Sequence, residues 1–193
     1  MTAGRTNSQS LSQHWCTPPD YVAAIRHFFG GTIALDPCSN EYSIVGATVE
    51  YCLPACDGLA ASWDYPSIFV NPPYGTDRTR GTRIRDWLRK CSEAQRDHGS
   101  EVLALVPVAV NTGHWKRYVF GRATAVAFLY DTRLKFLVEG EPGGKGAPMA
   151  CAMVYWGPGY SRFEDTFLQF GAVVDLRHLI GRAIGCRPHG GLF

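Results

Sequence analysis

The sequence predicts an α/β domain in which a mixed sheet carries helices on both faces. Three observations support this prediction. Short apolar runs alternate with amphipathic stretches, which is the pattern of strands connected by helices. The second half of the chain holds more strand-like than helix-like segments, so we expect the sheet to end in antiparallel strands near the C-terminus. With 46% hydrophobic residues among 193, the chain can bury a core of its own.

The predicted elements alternate along the chain. A helix over residues 21–29 places Val22, Ile25 and Phe28 on one face, and Gly30 ends it. The other predicted elements are strands at 32–35, 67–70, 102–106, 125–130, 133–137, 149–156 and 172–176, and helices at 84–94, 113–121 and 163–170, while 40–64 reads as irregular.

Charge and composition exclude several classes of protein. The formal net charge of +2 does not by itself indicate a nucleic-acid-binding protein. No apolar run is long enough for a membrane span, and the polar N-terminus lacks the apolar core of a signal peptide, so we expect a cytoplasmic protein. The seven Cys include no C-x-x-C pair and predict reduced thiols. Cys52 and Cys56 have the spacing of half a zinc site, but no second pair completes it, so no metal is expected.

The strongest chemical signal is Asn71-Pro72-Pro73-Tyr74, which directly follows the predicted strand at 67–70. Two consecutive prolines stiffen the backbone and leave carbonyls outside helix or sheet pairing. The Asn71 amide oxygen and a proline carbonyl then converge as two acceptors, which suits an exocyclic amino group with two hydrogens. Holding both hydrogens favours a pyramidal amine and frees its lone pair to attack a methyl sulfonium. The Tyr74 ring offers a flat face to a planar base.

A second segment lies at the end of another predicted strand. Asp36-Pro37-Cys38-Ser39 follows the strand at 32–35, and ligands of open α/β sheets bind at the carboxyl ends of strands. We therefore expect this segment and the Asn-Pro-Pro-Tyr motif to form two halves of one site. Alone, the segment is a weak signal, because it lacks a Gly-x-Gly and would otherwise be an ordinary strand exit.

These motifs resemble those of the small phage-type (Dam-like) DNA N6-adenine methyltransferases. Asn in the first position of the four-residue motif favours adenine over cytosine as the target base. The order and spacing agree from about residue 14 to 157. The further segments that carry the resemblance are Trp15-Cys16-Thr17-Pro18, Leu35-Asp36-Pro37-Cys38-Ser39-Asn40, Asp57-Gly58-Leu59 before Trp63, Leu105-Val106-Pro107, and Arg133 to Phe136.

The resemblance implies a fold, an activity and a cellular setting. It implies a single Rossmann-like, S-adenosylmethionine-dependent domain over 14–193, preceded by a flexible tail at 1–13 and without a separate target-recognition domain. The implied reaction transfers a methyl group from S-adenosylmethionine to the exocyclic amine of adenine in DNA. The implied setting is the cytoplasm of a bacterium or of a phage-infected host cell.

The resemblance also implies roles for individual residues. Thr17 and Pro18 match the motif that contacts the methionine part of the cofactor, and Asp57 matches the acidic residue near its adenine ring. Glu41 and Glu50 are both candidates for the carboxylate that holds the cofactor ribose. The implied cofactor-binding set is Trp15, Thr17, Pro18, Asp36, Pro37, Cys38, Ser39, Asp57, Leu59 and Asn71. The implied catalytic set is Asn71, Pro72, Pro73 and Tyr74, in which the Asn and the first Pro hold the target amine and the Tyr stacks on the base.

An arginine-rich segment directly follows the catalytic motif. Because arginines at such a place can bind phosphates without reading sequence, we expect it to contact DNA. A base inside a duplex cannot reach the motif, so it must be flipped out or single-stranded. A Trp-Lys-Arg cluster at 115–117 is a weaker candidate for the same role. The predicted DNA-contact residues are Arg78, Arg80, Arg83, Arg85 and, in the Gly/Pro-rich loop at 139–148, Lys145.

Two alternatives stay open at the level of the sequence. The four-residue motif also suits an enzyme that methylates an RNA base or a protein glutamine amide, because those amines pose the same chemical problem. The missing Gly-x-Gly and the undecided ribose carboxylate fit a catalytically silent nucleic-acid-binding relic.

Overall fold

The computed structural model describes residues 15–131, 134–142, 149–182 and 184. The predicted tail at 1–13, Arg133, and Lys145 with the 143–148 part of its loop lie outside the described residues. Within the described ranges there is no helix with the length and apolar character needed to cross a bilayer. The same ranges contain no group of His, Cys, Asp and Glu side chains that could hold a metal ion.

A seven-stranded mixed sheet forms the centre of the described chain. The strands are β1 (Trp15–Cys16), β2 (Leu35–Asp36), β3 (Val49–Glu50), β4 (Ser67–Val70), β5 (Glu101–Pro107), β6 (Ala125–Leu129), β7 (Leu137–Val138), β8 (Glu141–Pro142), β9 (Cys151–Trp156) and β10 (Gly171–Asp175). The large sheet has the order β10-β6-β9-β5-β4-β2-β3, and β1, β7 and β8 form a small separate sheet. Strands β2 to β5 pair in parallel, whereas β9, β6 and β10 pair antiparallel, which confirms the predicted antiparallel end.

Helices cover both faces of this sheet, as the sequence predicts. The helices are α1 (Pro19–Phe28), α2 (Ile84–His98), α3 (Tyr160–Phe167), a π-helix (Trp115–Phe120) and a short 3-10 helix (Arg177–Leu179). Successive residues of β5 point to opposite faces, so Leu103 packs with α1 and α3 and Val102 packs with α2 and the π-helix. Because β5 is covered on both sides, it is apolar throughout after Glu101.

The helix ends follow from residues at their termini. Pro19 occupies the first position of α1. A backbone N–H at this position would have no partner within the helix, so the lack of one in proline costs nothing, and the fixed φ of proline suits a helix. Helix α2 continues four residues beyond the predicted 84–94 and ends at Gly99. The φ of Gly99 is 72°, a left-handed conformation that closes a helix at little cost only for glycine.

Two short strands differ from the prediction near the N-terminus. The predicted strand at 32–35 is reduced to β2, whose ladder to β4 consists of Leu35 opposite Ile68. The region 40–64, which reads as irregular, contains β3, and β3 pairs in parallel with β2. Two-residue strands show no periodicity, so the sequence alone cannot reveal them.

Later elements also differ in extent or type. The predicted strand at 133–137 is wrong over 134–136, where Leu134 and Phe136 are buried but unpaired. Their alternation reflects packing, because the Phe136 ring stacks on Trp15 at a centroid distance of 5.3 Å. The predicted helix at 113–121 is a π-helix, and the predicted helix at 163–170 begins and ends three residues earlier as α3.

Candidate active site

Two turns meet at the carboxyl edge of the parallel strands. Strands β2 and β4 are parallel neighbours, so the chain leaves both at the same edge of the sheet. The turn after β2 is Asp36–Ser39, and the turn after β4 is Asn71–Tyr74. A hydrogen bond joins the Asn71 backbone to the Cys38 thiol. The two segments therefore adjoin, as expected from the sequence.

The Asn71 side chain has a fixed direction. Its Nδ2 donates to the Trp15 carbonyl at 3.4 Å and to Thr17 Oγ1 at 3.2 Å. Thr17 is buried, so this second partner is itself held in place. With the amide nitrogen turned toward the segment before α1, Asn71 Oδ1 points the other way and offers its lone pairs as acceptors. The strand exit thus carries a hydrogen-bond acceptor at Asn71.

The Tyr74 ring is anchored at its tip and packed edge-to-face against two other rings. Its hydroxyl donates to the Leu105 carbonyl at 3.3 Å. The ring lies edge-to-face with Trp15 at 6.2 Å and with Phe136 at 5.7 Å between centroids. Burial raises the pKa of Tyr74 well above its usual value, so the phenol stays neutral. Tyr74 is therefore a fixed, uncharged ring beside Asn71.

A cavity of about 490 Å³ opens next to the two turns. Its lining consists of the turn after β2 from Pro37 to Glu41, residues of the 51–58 segment, and Pro73, Arg80 and Trp87. Of the residues predicted to bind a cofactor, Pro37, Cys38 and Ser39 line it, whereas Trp15, Thr17, Pro18, Asp36, Asp57, Leu59 and Asn71 lie outside its lining. Their assignment to cofactor binding stays a prediction.

The cavity lining includes one of the two candidate ribose carboxylates and leaves out the other. Glu41 contributes to the lining and Glu50 does not. Glu50 Oε1 instead accepts a hydrogen bond from the Ala47 backbone at 3.1 Å. Of the two, Glu41 is therefore the carboxylate that a molecule in the cavity would meet.

One buried polar atom beside the cavity lacks a hydrogen bond. Ser39 Oγ is buried and has no hydrogen-bond partner at ordinary distance among the described atoms. The Cys52 thiol is its polar neighbour. A buried hydroxyl without a partner loses free energy relative to water, so this atom indicates a place where a ligand group would be favourable.

Asp36 is buried at the end of β2. Its Oδ1 accepts a hydrogen bond from the Cys38 backbone at 3.1 Å, which holds the turn that lines the cavity. Burial, with a smaller contribution from the nearby negative charge of Glu50, raises the pKa of Asp36 to about 7. The Cys38 hydrogen bond opposes this change but does not cancel it.

The arginine-rich segment divides into one tethered side chain and three exposed ones. Arg80 donates to Asp57 Oδ1 at 2.9 Å and to Asp77 Oδ2 at 2.7 Å. Asp57, predicted to lie near a cofactor ring, is therefore joined to the segment after the Asn-Pro-Pro-Tyr motif. The exposed members are Arg78 and Arg83, which have no ion pair with a carboxylate in the described ranges, and Arg85, which lies 3.5 Å from Asp86.

The turn at 57–61 is held by contacts that sequence reasoning missed. Lys90 Nζ donates to the carbonyls of Leu59 at 2.6 Å and Ala61 at 2.5 Å. Trp63 Nε1 donates to the Gly58 carbonyl at 2.7 Å. Lys90 lies 31 and 29 residues from its two partners, and no local pattern signals such a contact. The Asp-Gly pair was the one available signal for this turn.

One comparison with known proteins finds a match. The model of a family described as DNA N-6-adenine-methyltransferase (Dam) matches residues 4–173. No curated protein and no solved structure matches the chain.

The close approach at Gly58 generates a stability prediction. A Cβ at this position would overlap the backbone carbonyl of Pro37, which belongs to the turn lining the cavity. We expect Gly58→Ala to lower the free energy of unfolding by about 1–3 kcal/mol, since a backbone atom must move. Gly113→Ala is the matched control, because a Cβ there meets no atom within 4 Å. Chemical denaturation of both variants measures the difference, and equal stabilities would contradict the close approach.

The buried Asp36 generates a prediction about pH. Because its pKa is raised to about 7 in the folded state, the folded protein resists ionisation of this group. The contribution of Asp36 to the free energy of unfolding therefore falls as pH rises from about 4 to 7. Asp36→Asn removes this contribution while keeping an oxygen to accept from Cys38. We expect the stability of the variant relative to the wild type to rise over that window, by on the order of 4 kcal/mol at most, and to level above it.

Denaturation of both proteins at pH values from 4 to 9 measures the effect. The difference isolates Asp36, because every other titrating group is common to the two proteins. A stability difference that does not change with pH would show that Asp36 ionises in the folded state as it does in water.

Proposed function

The chain belongs to the DNA N-6-adenine-methyltransferase (Dam) family, and on that premise we propose that it transfers a methyl group from S-adenosylmethionine to the N6 amine of adenine in DNA. The observation that carries the proposal is the direction of the Asn71 amide. Its nitrogen is engaged by Trp15 and Thr17, which leaves its oxygen to accept hydrogen bonds at the strand exit.

Asn71 and Pro72 supply the acceptors that the adenine amine needs. The lone pair of this amine is delocalised into the ring, so the free base is a poor nucleophile. One amine hydrogen donates to Asn71 Oδ1 and the other to the Pro72 carbonyl. Held in this way, the nitrogen becomes pyramidal and its lone pair is directed away from the two acceptors. Both acceptors are already in position before the reaction begins, so neither has to reorient while the methyl group is transferred.

The residues around the cavity fit S-adenosylmethionine. A volume of about 490 Å³ lies within the range of small-molecule sites. The buried Ser39 Oγ, which has the Cys52 thiol as a polar neighbour, gains a hydrogen bond from a ligand, and Glu41 accepts from ribose hydroxyls. The bound cofactor supplies a methyl group on a positively charged sulfonium. Pro73 borders the cavity, so its contents lie close to the amine held by Asn71.

Asp36 acts as a positioning residue in this proposal. It does not line the cavity, but its Oδ1 fixes the Cys38 backbone and so the shape of the turn that does. A cationic ligand near this turn favours the ionised carboxylate and offsets part of the burial that raises its pKa.

Tyr74 forms a rigid surface for the target base. Its hydroxyl is held by Leu105 and its ring by Trp15 and Phe136, so little entropy is lost when a base packs against it. A base that stacks there is placed with its edge toward Asn71. Because the base must leave the duplex to reach this position, the enzyme flips it out or acts on single strands.

The arginine-rich segment positions the DNA beside the base pocket. Arg78, Arg83 and Arg85 are exposed and contact phosphates in this proposal. Arg80 has a different role, because Asp57 and Asp77 already hold its guanidinium. It ties the DNA-facing segment to the wall of the cofactor cavity. Lys145 is proposed as a further phosphate contact from the sequence alone.

Replacement of Asn71 tests the proposed chemistry. We expect Asn71→Ala to reduce methyl transfer at least 100-fold, by analogy with the loss of one stabilising group from an active site. Asn111→Ala, at an exposed position, is the matched control and should retain full activity. The measurement is transfer of tritium from labelled S-adenosylmethionine to adenine-containing DNA, with RNA and a glutamine-containing protein as parallel acceptors.

Two further outcomes separate the alternatives. Calorimetry should show that both variants still bind S-adenosylmethionine, since Asn71, although it belongs to the cofactor-binding set that the family resemblance implies, does not line the cavity proposed to hold the cofactor. A wild type that binds no S-adenosylmethionine would indicate a nucleic-acid-binding relic, and label in RNA or protein alone would assign a different substrate. Full activity of Asn71→Ala would overturn the mechanism.

A further inference from the structure

A second cavity lies outside the candidate active site, along the π-helix. Its volume is about 420 Å³. It lies between the π-helix, the turn that follows it, and the chain after the 3-10 helix. We call it the basic cavity, and its lining is Gly113, Lys116, Arg117, Gly121, Arg122, Gly181, Arg182 and Ile184. Four of these eight residues carry a positive charge, and none carries a negative one.

The charges of the basic cavity have no carboxylate partner among the residues that the structure describes. Lys116, Arg117, Arg122 and Arg182 are all exposed, and none of them pairs with a carboxylate in the described ranges. The residues outside those ranges include no Asp or Glu at all. By contrast, the exposed Arg89, Arg96, Arg162 and Arg177 each have a carboxylate partner. Four unpaired cations around one concave surface favour an anionic ligand.

The basic cavity lies on the same side of the sheet as the arginine-rich segment. Trp115 and Val119 of the π-helix pack in one cluster with Trp87 and Leu88 of α2. Arg83 directly precedes α2, so the segment enters this same face. The segment lies at the carboxyl edge of β4 and Arg122 lies toward the opposite edge, before β6, so a single extended polyanion that runs across this face can contact both.

The sheet register gives the distance between Asn71 and the basic cavity. Asn71 follows Val70, which pairs with Ala104 of β5, and Arg122 precedes β6 by three residues. Between β4 and β6 lie three inter-strand spacings, or about 14 Å across the sheet. Along the strand direction, Arg122 and Asn71 are also offset by about five residues. The two offsets together place Arg122 roughly 20 Å from Asn71. With a rise of about 3.4 Å per nucleotide, this separation corresponds to about six nucleotides.

We propose that the basic cavity binds backbone phosphates of DNA about six nucleotides from the target adenine. The proposal rests on the proposed function and extends it by assigning a second contact to the flanking DNA. Phosphate contacts at a distance fix the register of the duplex while the base is flipped out. Exposed, unpaired guanidinium groups suit this role, because they bind phosphates by forked hydrogen bonds and need not break an existing ion pair.

The test removes two charges from the basic cavity without touching the active site. The variant is Arg122→Gln/Arg182→Gln, and neither side chain makes a hydrogen bond or ion pair with another described residue that the substitution would break. The control is Arg26→Gln/Arg162→Gln, which removes the same charge from exposed positions on α1 and α3, on the opposite face. It also removes the Arg26 hydrogen bond to the Val45 carbonyl and the Arg162 ion pair with Glu101, so any weaker binding caused by lost contacts would be larger in the control than in the variant. Thermal unfolding checks that all proteins are folded.

Binding to a 30-base-pair duplex with a central target adenine is measured at several salt concentrations. We expect the variant to bind at least tenfold more weakly than the wild type at about 0.1 M salt. The slope of log K against log salt should be shallower by about 1.8, since each lost phosphate contact removes about 0.9. The control should stay within about twofold of the wild type, because its lost charges lie away from the DNA.

A short substrate separates this site from the active site. A four-nucleotide single strand, with one nucleotide on one side of the adenine and two on the other, is too short to span the roughly 20 Å to the basic cavity even when fully extended. We expect variant and wild type to methylate it equally, with kcat and KM unchanged. If the wild type methylates no DNA, the proposed function fails, yet the duplex-binding comparison still tests the basic cavity.

Three results would overturn the proposal. The variant could bind the duplex as tightly as the control. It could lose activity equally on the short strand, which would assign the arginines to the reaction rather than to flanking DNA. Or it could lose affinity for inorganic tripolyphosphate but not for the duplex, which would make the basic cavity a site for a free anion.

Discussion

The direction of the Asn71 side-chain amide is the constraint on which the rest of the site depends. Oxygen and nitrogen of an amide have nearly the same size, so shape alone would accept either orientation. The Trp15 carbonyl and Thr17 Oγ1 both accept from Asn71 Nδ2, and they are 56 and 54 residues away along the chain. The reversed amide would point its own hydrogens at the target amine. The fold therefore decides that this position accepts hydrogen bonds, because β1 pairs with β7 and Pro19 begins α1 directly after Thr17 and Pro18.

The features that could be predicted from the sequence are those determined by residues close together along the chain. The parallel edge follows from apolar runs such as 67–70 and 102–106, each ended by a proline-containing turn. The meeting of Asp36–Ser39 with Asn71–Tyr74 follows from that topology, because neighbouring parallel strands end at one edge. The antiparallel end of the sheet followed from closely spaced strands without helices between most of them. Family membership followed from the motif and from the order of the segments around it.

The features that the sequence could not predict depend on partners far along the chain. β3 has two residues, and what defines it is its pairing with β2. In the sequence, Lys90 is an ordinary lysine on a helix surface. Only the structure shows that it contacts the turn at 57–61. In the sequence, Arg80 is one of four similar arginines. In the structure it differs from the other three because two carboxylates hold its guanidinium. The alternation at 134–136 reflects burial against Trp15 rather than strand pairing, and periodicity does not distinguish the two.

The small net charge of +2 conceals an uneven distribution. Five exposed arginines of the described chain have a neighbouring carboxylate, whereas those of the basic cavity and two in the arginine-rich segment do not. Positive charge is thus uncompensated in two places on the face that carries α2. This arrangement suits a protein that must attract a polyanion to one face without binding it everywhere, since salt-screened attraction falls off within about 10 Å.

The nucleoside that becomes methylated tests the central claim most directly. DNA treated with the protein and S-adenosylmethionine is digested to nucleosides and analysed by mass spectrometry. If Asn71 and Pro72 hold the amine of adenine, N6-methyladenine forms and increases with enzyme concentration. Methylation of cytosine at N4, or DNA that stays unmodified while the protein binds S-adenosylmethionine, would contradict the account.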